Sequence, residues 1–101
     1  MQSQIVISTH AAKELHESFE WYENLSLGLG FRFIEFVDKV FGIIEYYPES
    51  FPKKKGSFRE ASVKRFPYLI IYEYSPKTDI VYILHIFNSY QSARKKHTRK
   101  R

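Results

Sequence analysis

The amino-acid sequence predicts an α+β fold of order β-α-α-β-β-β, in which an antiparallel helical hairpin packs on a mainly antiparallel four-stranded sheet. Two amphipathic stretches lie in the first half of the chain, and three β-rich runs lie in the second. Strands that are grouped after helices favour an antiparallel sheet over a doubly wound fold. The length of 101 residues, of which 44% are hydrophobic, suffices for one core and not for two.

The first elements in chain order are a short strand and a helix. Gln4 to Ser8 is a run rich in β-branched residues, which predicts a strand. Ser8 or Thr9 is expected to cap the following helix, because a side-chain hydroxyl accepts a hydrogen bond from a free N–H of the first turn. The apolar residues of this helix recur in steps of three and four, as one helical face requires. They are Ala12, Leu15, Phe19 and Tyr22.

Two glycines, Gly28 and Gly30, weaken helical continuity and precede a second helix. This helix is expected from about Leu29 to Tyr47, because a residue that precedes a proline, here Pro48, avoids the α-helical region. A link this short predicts an antiparallel helical hairpin. The predicted core stripe of the second helix comprises Phe33, Ile34, Val37, Val40, Phe41, Ile44 and Tyr47.

The β-rich half begins after a loop, residues 49–56, that contains three consecutive lysines. The last two strands are separated by Pro76-Lys77-Thr78-Asp79 and are expected to pair as an antiparallel hairpin. The three predicted strands span residues 57–66, 68–75 and 80–87.

Charge divides the chain into an acidic and a basic half. Residues 1–50 contain eight acidic and three basic residues, a net charge of −5, whereas residues 51–101 contain three acidic and thirteen basic ones, a net charge of +10. We expect residues 1–91 to form a single domain and residues 92–101 a basic tail. The asymmetry indicates a polyanion or an acidic partner on the basic side, or else a solvated tail that aids solubility.

Other features exclude whole classes of site and location. The sequence has no cysteine, so it offers neither a disulfide framework nor a cysteine-ligated zinc site. No window approaches the roughly 18–20 apolar residues of a membrane-spanning helix, and no signal peptide is visible, so a cytoplasmic location without membrane contact is expected. No histidine pair shows metal-site spacing with an acidic partner, so neither a metal nor another cofactor is expected.

Several segments of the sequence resemble the RelE/ParE family of bacterial toxins, and more closely its ParE-like branch. Residues 7–15 (ISTHAAKEL) resemble the family's opening, and Leu27 to Phe33 resembles its LG-x-x-F segment. Tyr47-Pro48 stands where the family ends its second helix. The run from Val63 to Tyr72, with Arg59 before it, is typical of ParE-like members. The resemblance covers nearly the whole chain.

The resemblance implies the toxin of a type II toxin–antitoxin system, which a cognate antitoxin neutralises by wrapping its C-terminal segment around the toxin. ParE-like members inhibit DNA gyrase, and this is the favoured interpretation. RelE-like members instead cleave mRNA on the ribosome, and a degenerate relative would bind an antitoxin without being toxic. The implied partners are therefore an antitoxin and either gyrase or ribosome-bound mRNA, and the implied assembly is a homodimer or a toxin–antitoxin hetero-oligomer.

The candidate site residues are cationic or aromatic. A metal-free ribonuclease must move protons and offset the charge of the phosphorane, and the candidates for this chemistry are Arg59, Arg65 and Tyr90. Two-residue alternation places both arginines on one face of one strand. A competing interpretation is that Arg59 ties the sheet to an acid on the helices. The candidates for contact with a nucleic acid or another target are Lys53, Lys54, Lys55, Lys64, Arg94, Lys95 and Lys96.

The end of the last predicted strand departs from the nuclease pattern of the family. Asn88 stands where members usually carry His or another polar residue, and Gln91 stands where they usually carry Arg. Asn does not titrate, and a neutral Gln cannot hold the phosphorane charge as Arg does. His85 shares parity with Val81 and Ile83 and is expected to be a packed core residue. A complete nuclease site is not expected, and the sheet should leave a cationic side open.

Overall fold

The computed structural model describes residues 2–90 and confirms the α+β class. Two helices lie on one face of a five-stranded sheet, and no helix within the described range is long and apolar enough to cross a membrane. The helices are α1 (Thr9–Leu25) and α2 (Leu29–Tyr46). The strands are β1 (Gln4–Ile7), β2 (Lys53–Lys55), β3 (Phe58–Val63), β4 (Tyr68–Ser75) and β5 (Ile80–Asn88).

The sheet has the order β1-β5-β4-β3-β2. β1 pairs in parallel with β5, and all other neighbours are antiparallel. The prediction of four strands is wrong by one, because the lysine run that was expected in a loop forms the edge strand β2. A run of lysines lacks the apolar alternation that predicts a strand. Lysines are nevertheless common in the edge strands of sheets, because their charges discourage pairing with another chain.

The core lies between the helical hairpin and the facing side of the sheet. α1 lies over β5, and α2 contacts β3. Four aromatic rings meet at the centre, with ring centroids 4.8 Å to 6.0 Å apart. This aromatic cluster consists of Tyr22, Phe33, Phe66 and Tyr68. Burial, followed by the proximity of Tyr68, raises the pKa of Tyr22 to about 12.

The helix stripes largely match the prediction, with a correction at each end. Ala12 is exposed and Ala11 is buried, because the inward face of α1 runs through Ala11, Leu15 and Tyr22 in helical steps. Tyr47 is exposed, because α2 ends at Tyr46 and the backbone of Tyr47 has left the helical region.

Two capping contacts fix where the helices begin. The Ser8 hydroxyl accepts a hydrogen bond from Ala11 N–H at 2.9 Å, which is the predicted N-cap of α1. The carboxylate of Glu23 accepts hydrogen bonds from Gly28 N–H at 2.8 Å and Gly30 N–H at 2.9 Å. The end of α1 thus supplies the anion that satisfies the free N–H groups at the start of α2.

β5 contains a bulge that reverses which side chains face the helices. Tyr72 pairs with Ile83 and Ile71 pairs with His85, so Leu84 is the extra residue on β5. Ile83 is buried before the bulge, Ile86 is buried after it, and His85 is exposed. The prediction of a packed core His85 is therefore wrong, because it counted alternation straight across the bulge.

The turn between β4 and β5 holds β1 in place. Asp79 Oδ1 accepts hydrogen bonds from the hydroxyls of Ser3 at 2.6 Å and Tyr74 at 2.8 Å, and its backbone carbonyl accepts one from Gln4 N–H at 3.2 Å. The hydrogen bonds from Ser3 and then Tyr74 lower the pKa of the Asp79 carboxyl below its ordinary value.

We predict that Gly30→Ala destabilises the fold, because a Cβ on Gly30 would lie 2.6 Å from the backbone oxygen of Phe19 and 2.8 Å from its ring. The expected loss in free energy of unfolding is about 1–3 kcal/mol, measured by urea denaturation. Gly42→Ala in the same helix is the control, since its Cβ would meet no atom within 4 Å. It should gain up to about 1 kcal/mol from helix propensity. Equal effects of the two substitutions would contradict the close helix–helix approach.

Candidate functional site

Arg59 lies on the side of β3 that faces the helices, in phase with the buried residues Ala61 and Val63. Its Nη1 donates hydrogen bonds to the backbone carbonyls of Phe51 at 2.7 Å and Glu49 at 3.2 Å. Arg59 therefore ties the sheet to the segment that leaves α2, and not to an acid on the helices as the competing interpretation had it. The acceptors are two backbone carbonyls and not an acidic side chain.

Tyr72 strengthens the same tie from the neighbouring strand. It pairs directly with Arg59, and its hydroxyl donates a 2.7 Å hydrogen bond to the carbonyl of Pro48. Burial raises the pKa of Tyr72 to about 12, although the positive charge of Arg59 acts in the opposite direction. Arg59 and Tyr72 together clamp residues 48–51 against the sheet. Nothing in the sequence revealed this second partner, because the clamp closes on backbone atoms.

Arg65 is separated from Arg59 by the end of the strand. β3 stops at Val63, and Arg65 lies in the turn before β4 with a φ of 70°. The prediction that the two arginines share one strand face is therefore wrong. The small residues between them, Ala61 and Val63, cannot seat a phosphate because they are buried under the helices.

Tyr90 lies beyond the opposite end of the sheet from Arg59. Val63 pairs with Tyr68, which pairs with Asn88, so the end of β5 is level with the end of β3. Arg59 is four residues from Val63, which corresponds to about 13 Å of strand. Tyr90 is 73% exposed, and its N–H donates to the side-chain oxygen of Asn88 at 2.9 Å. The structure does not bring Arg59 and Tyr90 together.

The predicted binding lysines lie in two exposed places. Lys53, Lys54 and Lys55 form the outer edge strand β2, and Lys64 lies in the turn after β3. Arg94, Lys95 and Lys96 fall outside the described residues.

A second cationic group surrounds the ring of Phe36 on α2. The charged ends of Arg32, Lys39 and Arg65 lie 5.9 Å, 4.8 Å and 5.8 Å from the ring centroid. Such placements are attractive because the ring face carries partial negative charge. No sequence pattern predicted this group, because its members come from α2 and from a turn about 30 residues later.

The open face of the sheet is not cationic, contrary to the expectation from the charge asymmetry. The side chains that alternate with the buried ones on β3, β4 and β5 point away from the helices. On these three strands the outer face is largely apolar, and its charged side chains are those of Glu60 and Glu73, with Lys55 of β2 opposite Phe58 at its edge. The larger side chains on it are Phe58, Glu60, Leu69, Ile71, Glu73, Tyr82, His85 and Phe87.

A pocket of about 280 Å³ lies between α1 and the end of β5. β1 ends at Ile7, opposite Ile83, so it leaves the edge of β5 beyond this point uncovered. Glu14 Oε1 accepts a 2.7 Å hydrogen bond from the Ile86 N–H on this edge. Glu14, Trp21, Tyr68 and Phe87 contribute to the pocket wall. The pocket therefore combines aromatic surface with a carboxylate.

One group of potential metal donors occurs among residues 2–90. The donor atoms of His10, Glu14 and His85 lie within 4.8 Å of one another. No spacing in the sequence predicted this group, because His85 lies 71 residues after Glu14 and its orientation depends on the bulge.

Comparisons with known proteins agree with this architecture. A chromosomal ParDE TA system from P. aeruginosa contains a chain with a TM-score of 0.71 and 13% identity, and the match covers 86% of this chain and 96% of that one. The toxin–antitoxin complex RelBE2 from Mycobacterium tuberculosis matches with a TM-score of 0.59 and 18% identity over 87% and 99% of the two chains. The isolated E. coli RelE toxin matches with a TM-score of 0.56 and 15% identity over 93% and 97%.

These three similarities concern the fold alone, since the identities are low. A comparison with curated protein sequences gives no significant match. The sequence model for the ParE toxin of the type II toxin–antitoxin system parDE matches residues 5–92, which is most of the chain. The protein therefore belongs to the ParE toxin family of type II toxin–antitoxin systems.

Proposed function

We propose that this toxin inhibits DNA gyrase by binding to it, without chemistry of its own, and that a cognate antitoxin neutralises it in the cytoplasm. The observation that carries the proposal is the position of Arg59. Its guanidinium is bound to the carbonyls of Phe51 and Glu49, and about 13 Å of strand separates it from the end of β5 that precedes Tyr90.

A metal-free nuclease requires its acid, its base and its phosphorane-stabilising cation within hydrogen-bond reach of one phosphate. Arg59, Arg65 and Tyr90 do not satisfy this requirement as a set. Asn88, two residues before Tyr90, uses its side-chain oxygen to accept the Tyr90 N–H and has no titratable group. This arrangement favours inhibition by binding over RNA cleavage.

The exposed lysines of β2 are suited to the first contact with such a target. Gyrase at work holds DNA, and a cationic edge attracts a phosphate-bearing assembly over a distance of several ångströms. We propose that Lys64, Arg94, Lys95 and Lys96 bind the target together with the β2 lysines. An acidic antitoxin segment would be attracted to these charges as well.

The pocket beside the uncovered edge of β5 is the place we propose for the antitoxin's C-terminal segment. Trp21 is 58% exposed at this pocket, so an apolar side chain of the antitoxin would remove aromatic surface from water. The part of the β5 edge that β1 leaves uncovered beyond Ile83 would lie alongside an extended segment, with Glu14 already holding the Ile86 N–H there. This docking leaves β2, at the other side of the sheet, accessible.

The function is tested with purified protein in two parallel assays. We expect inhibition of gyrase supercoiling with accumulation of cleaved DNA, and intact mRNA in a cell-free translation reaction. Cleavage of ribosome-bound mRNA with unaffected gyrase would establish the RelE-like activity instead. No effect in either assay, with antitoxin binding retained, would identify a non-toxic binding module.

We predict that Arg59→Ala lowers the free energy of unfolding by about 1–3 kcal/mol, because two charge-assisted hydrogen bonds to carbonyls are lost. Urea denaturation measures the loss. Lys64→Ala is the control on the adjoining turn, and we expect a change within about 0.5 kcal/mol because its side chain is exposed. An Arg59→Ala protein of unchanged stability that cleaves no RNA where the parent does would point to catalysis by Arg59.

We predict that the double substitution Lys54→Glu and Lys55→Glu weakens gyrase inhibition by about tenfold or more. Added salt should reduce the difference in inhibition between the parent protein and this variant, because screening weakens exposed charge contacts. The control is Lys13→Glu with Lys77→Glu, which changes the net charge equally at two other exposed sites. Titration of supercoiling inhibition at two salt concentrations measures both effects. Equal losses in the two double variants would show that net charge and not the β2 edge governs binding.

A further inference from the structure

The start of α1 and the bulge of β5 bring three metal-binding side chains together. His10 Nε2 lies 3.3 Å from Glu14 Oε2, and His85 Nδ1 lies 3.8 Å from Glu14 Oε1. The rings of His10 and His85 meet edge to face with centroids 4.9 Å apart. Two imidazoles and a carboxylate thus converge on one point at the surface.

Hydrogen bonds of Ser8 join the two elements that carry these side chains. Ser8 N–H donates to the Ile83 carbonyl at 2.9 Å, and the Ser8 hydroxyl donates to the Leu84 carbonyl at 3.2 Å. These two bonds fasten the first turn of α1, which carries His10, to the strand that carries His85. The bulge at Leu84 takes His85 out of the buried row of β5 and leaves it beside His10, where α1 begins at the edge of the sheet.

Glu14 is oriented by a further hydrogen bond. Its Oε1 accepts the Ile86 N–H at 2.7 Å, while its Oε2 faces His10. A hydrogen bond to one carboxylate oxygen is the kind of support that fixes a metal-binding carboxylate and tunes its affinity. Glu14 is the most buried of the three side chains, with 22% exposure against 61% for His10 and 49% for His85.

We propose that His10, Glu14 and His85 form a binding site for a divalent transition-metal ion of the zinc class. Two neutral imidazoles and a carboxylate are a donor set that Zn²⁺ binds with a fourth position left for water or an added ligand. Ligand atoms about 2.0–2.1 Å from a tetrahedral ion are about 3.3 Å from one another. The His10–Glu14 separation of 3.3 Å already equals this edge. The exposed imidazole of His85 has the freedom to close the remaining gap.

A second histidine–glutamate pair on α1 provides an internal comparison. His16 Nε2 lies 3.3 Å from Glu20 Oε2 with the same spacing of four residues. This pair belongs to no group of three donors within residues 2–90. If a helical His–Glu pair alone explained metal binding, the two pairs would bind equally. The third ligand, His85, is what distinguishes the proposed site.

The test uses the full chain without an affinity tag, titrated with Zn²⁺ by calorimetry and with Co²⁺ by visible absorption. We expect one Zn²⁺ per chain and a Co²⁺ absorption spectrum typical of four- or five-coordinate cobalt with nitrogen and oxygen ligands. The melting temperature of the protein should rise, because the ion binds only the folded site. His85→Gln and Glu14→Gln should each reduce affinity by about tenfold or more. His16→Gln and His97→Gln should leave the affinity and the spectrum unchanged.

The variants separate loss of the site from loss of the fold. Glu14→Gln retains an oxygen that can accept the Ile86 N–H, and His85→Gln changes a half-exposed side chain, so circular dichroism should show folded proteins. Absence of saturable Zn²⁺ binding by the parent chain would overturn the proposal. So would binding that His16→Gln or His97→Gln weakens as much as His85→Gln does. Neither result would bear on gyrase inhibition, which is measured separately.

Discussion

The aromatic cluster of Tyr22, Phe33, Phe66 and Tyr68 joins both helices to the sheet, and the other features of the molecule depend on it. Each ring comes from a different segment: α1, α2, the turn after β3 and the start of β4. Large rings packed edge to face or at a tilt contribute both burial and a defined geometry. The cluster holds the second half of α1, and the first half lies along the uncovered edge of β5, where Ser8 and Glu14 bond to the β5 backbone and the pocket and the His10–Glu14–His85 group form.

Much of the fold could be predicted because it follows from strong local periodicity. α2 repeats its apolar residues at helical spacing, and Pro76-Lys77-Thr78-Asp79 separates two clearly β-rich runs, so these elements were found within one residue or two. β2 was missed because three lysines carry no apolar pattern and pair only through the backbone. The last residues predicted for β3 belong instead to a turn. Arg65 adopts a left-handed backbone conformation in this turn, and no sequence pattern predicted it.

The site was harder to predict than the fold, because its contacts are long-range and partly made by backbone atoms. The role of Arg59 as a tie was anticipated, but its acceptors are carbonyls, which every residue possesses and no sequence pattern distinguishes. The group around Glu14 was invisible for another reason. His10 and Glu14 show helical spacing, but the orientation of the third member, His85, depends on one extra residue in a distant strand. A single extra residue in an apolar run cannot be recognised from the sequence.

That extra residue, Leu84, also governs how the final strand is to be aligned with those of related toxins. Before Leu84 the odd-numbered side chains of β5 face the helices, and after it the even-numbered ones do. Alternation counted from the β4–β5 hairpin therefore assigns a residue to one side of the sheet, and alternation counted back from the end of β5 assigns it to the other. Two homologues that differ by this one residue would place chemically identical side chains in different environments. The residue of a related toxin that is equivalent to Asn88 should therefore be identified by superposing the backbones and not by aligning the sequences.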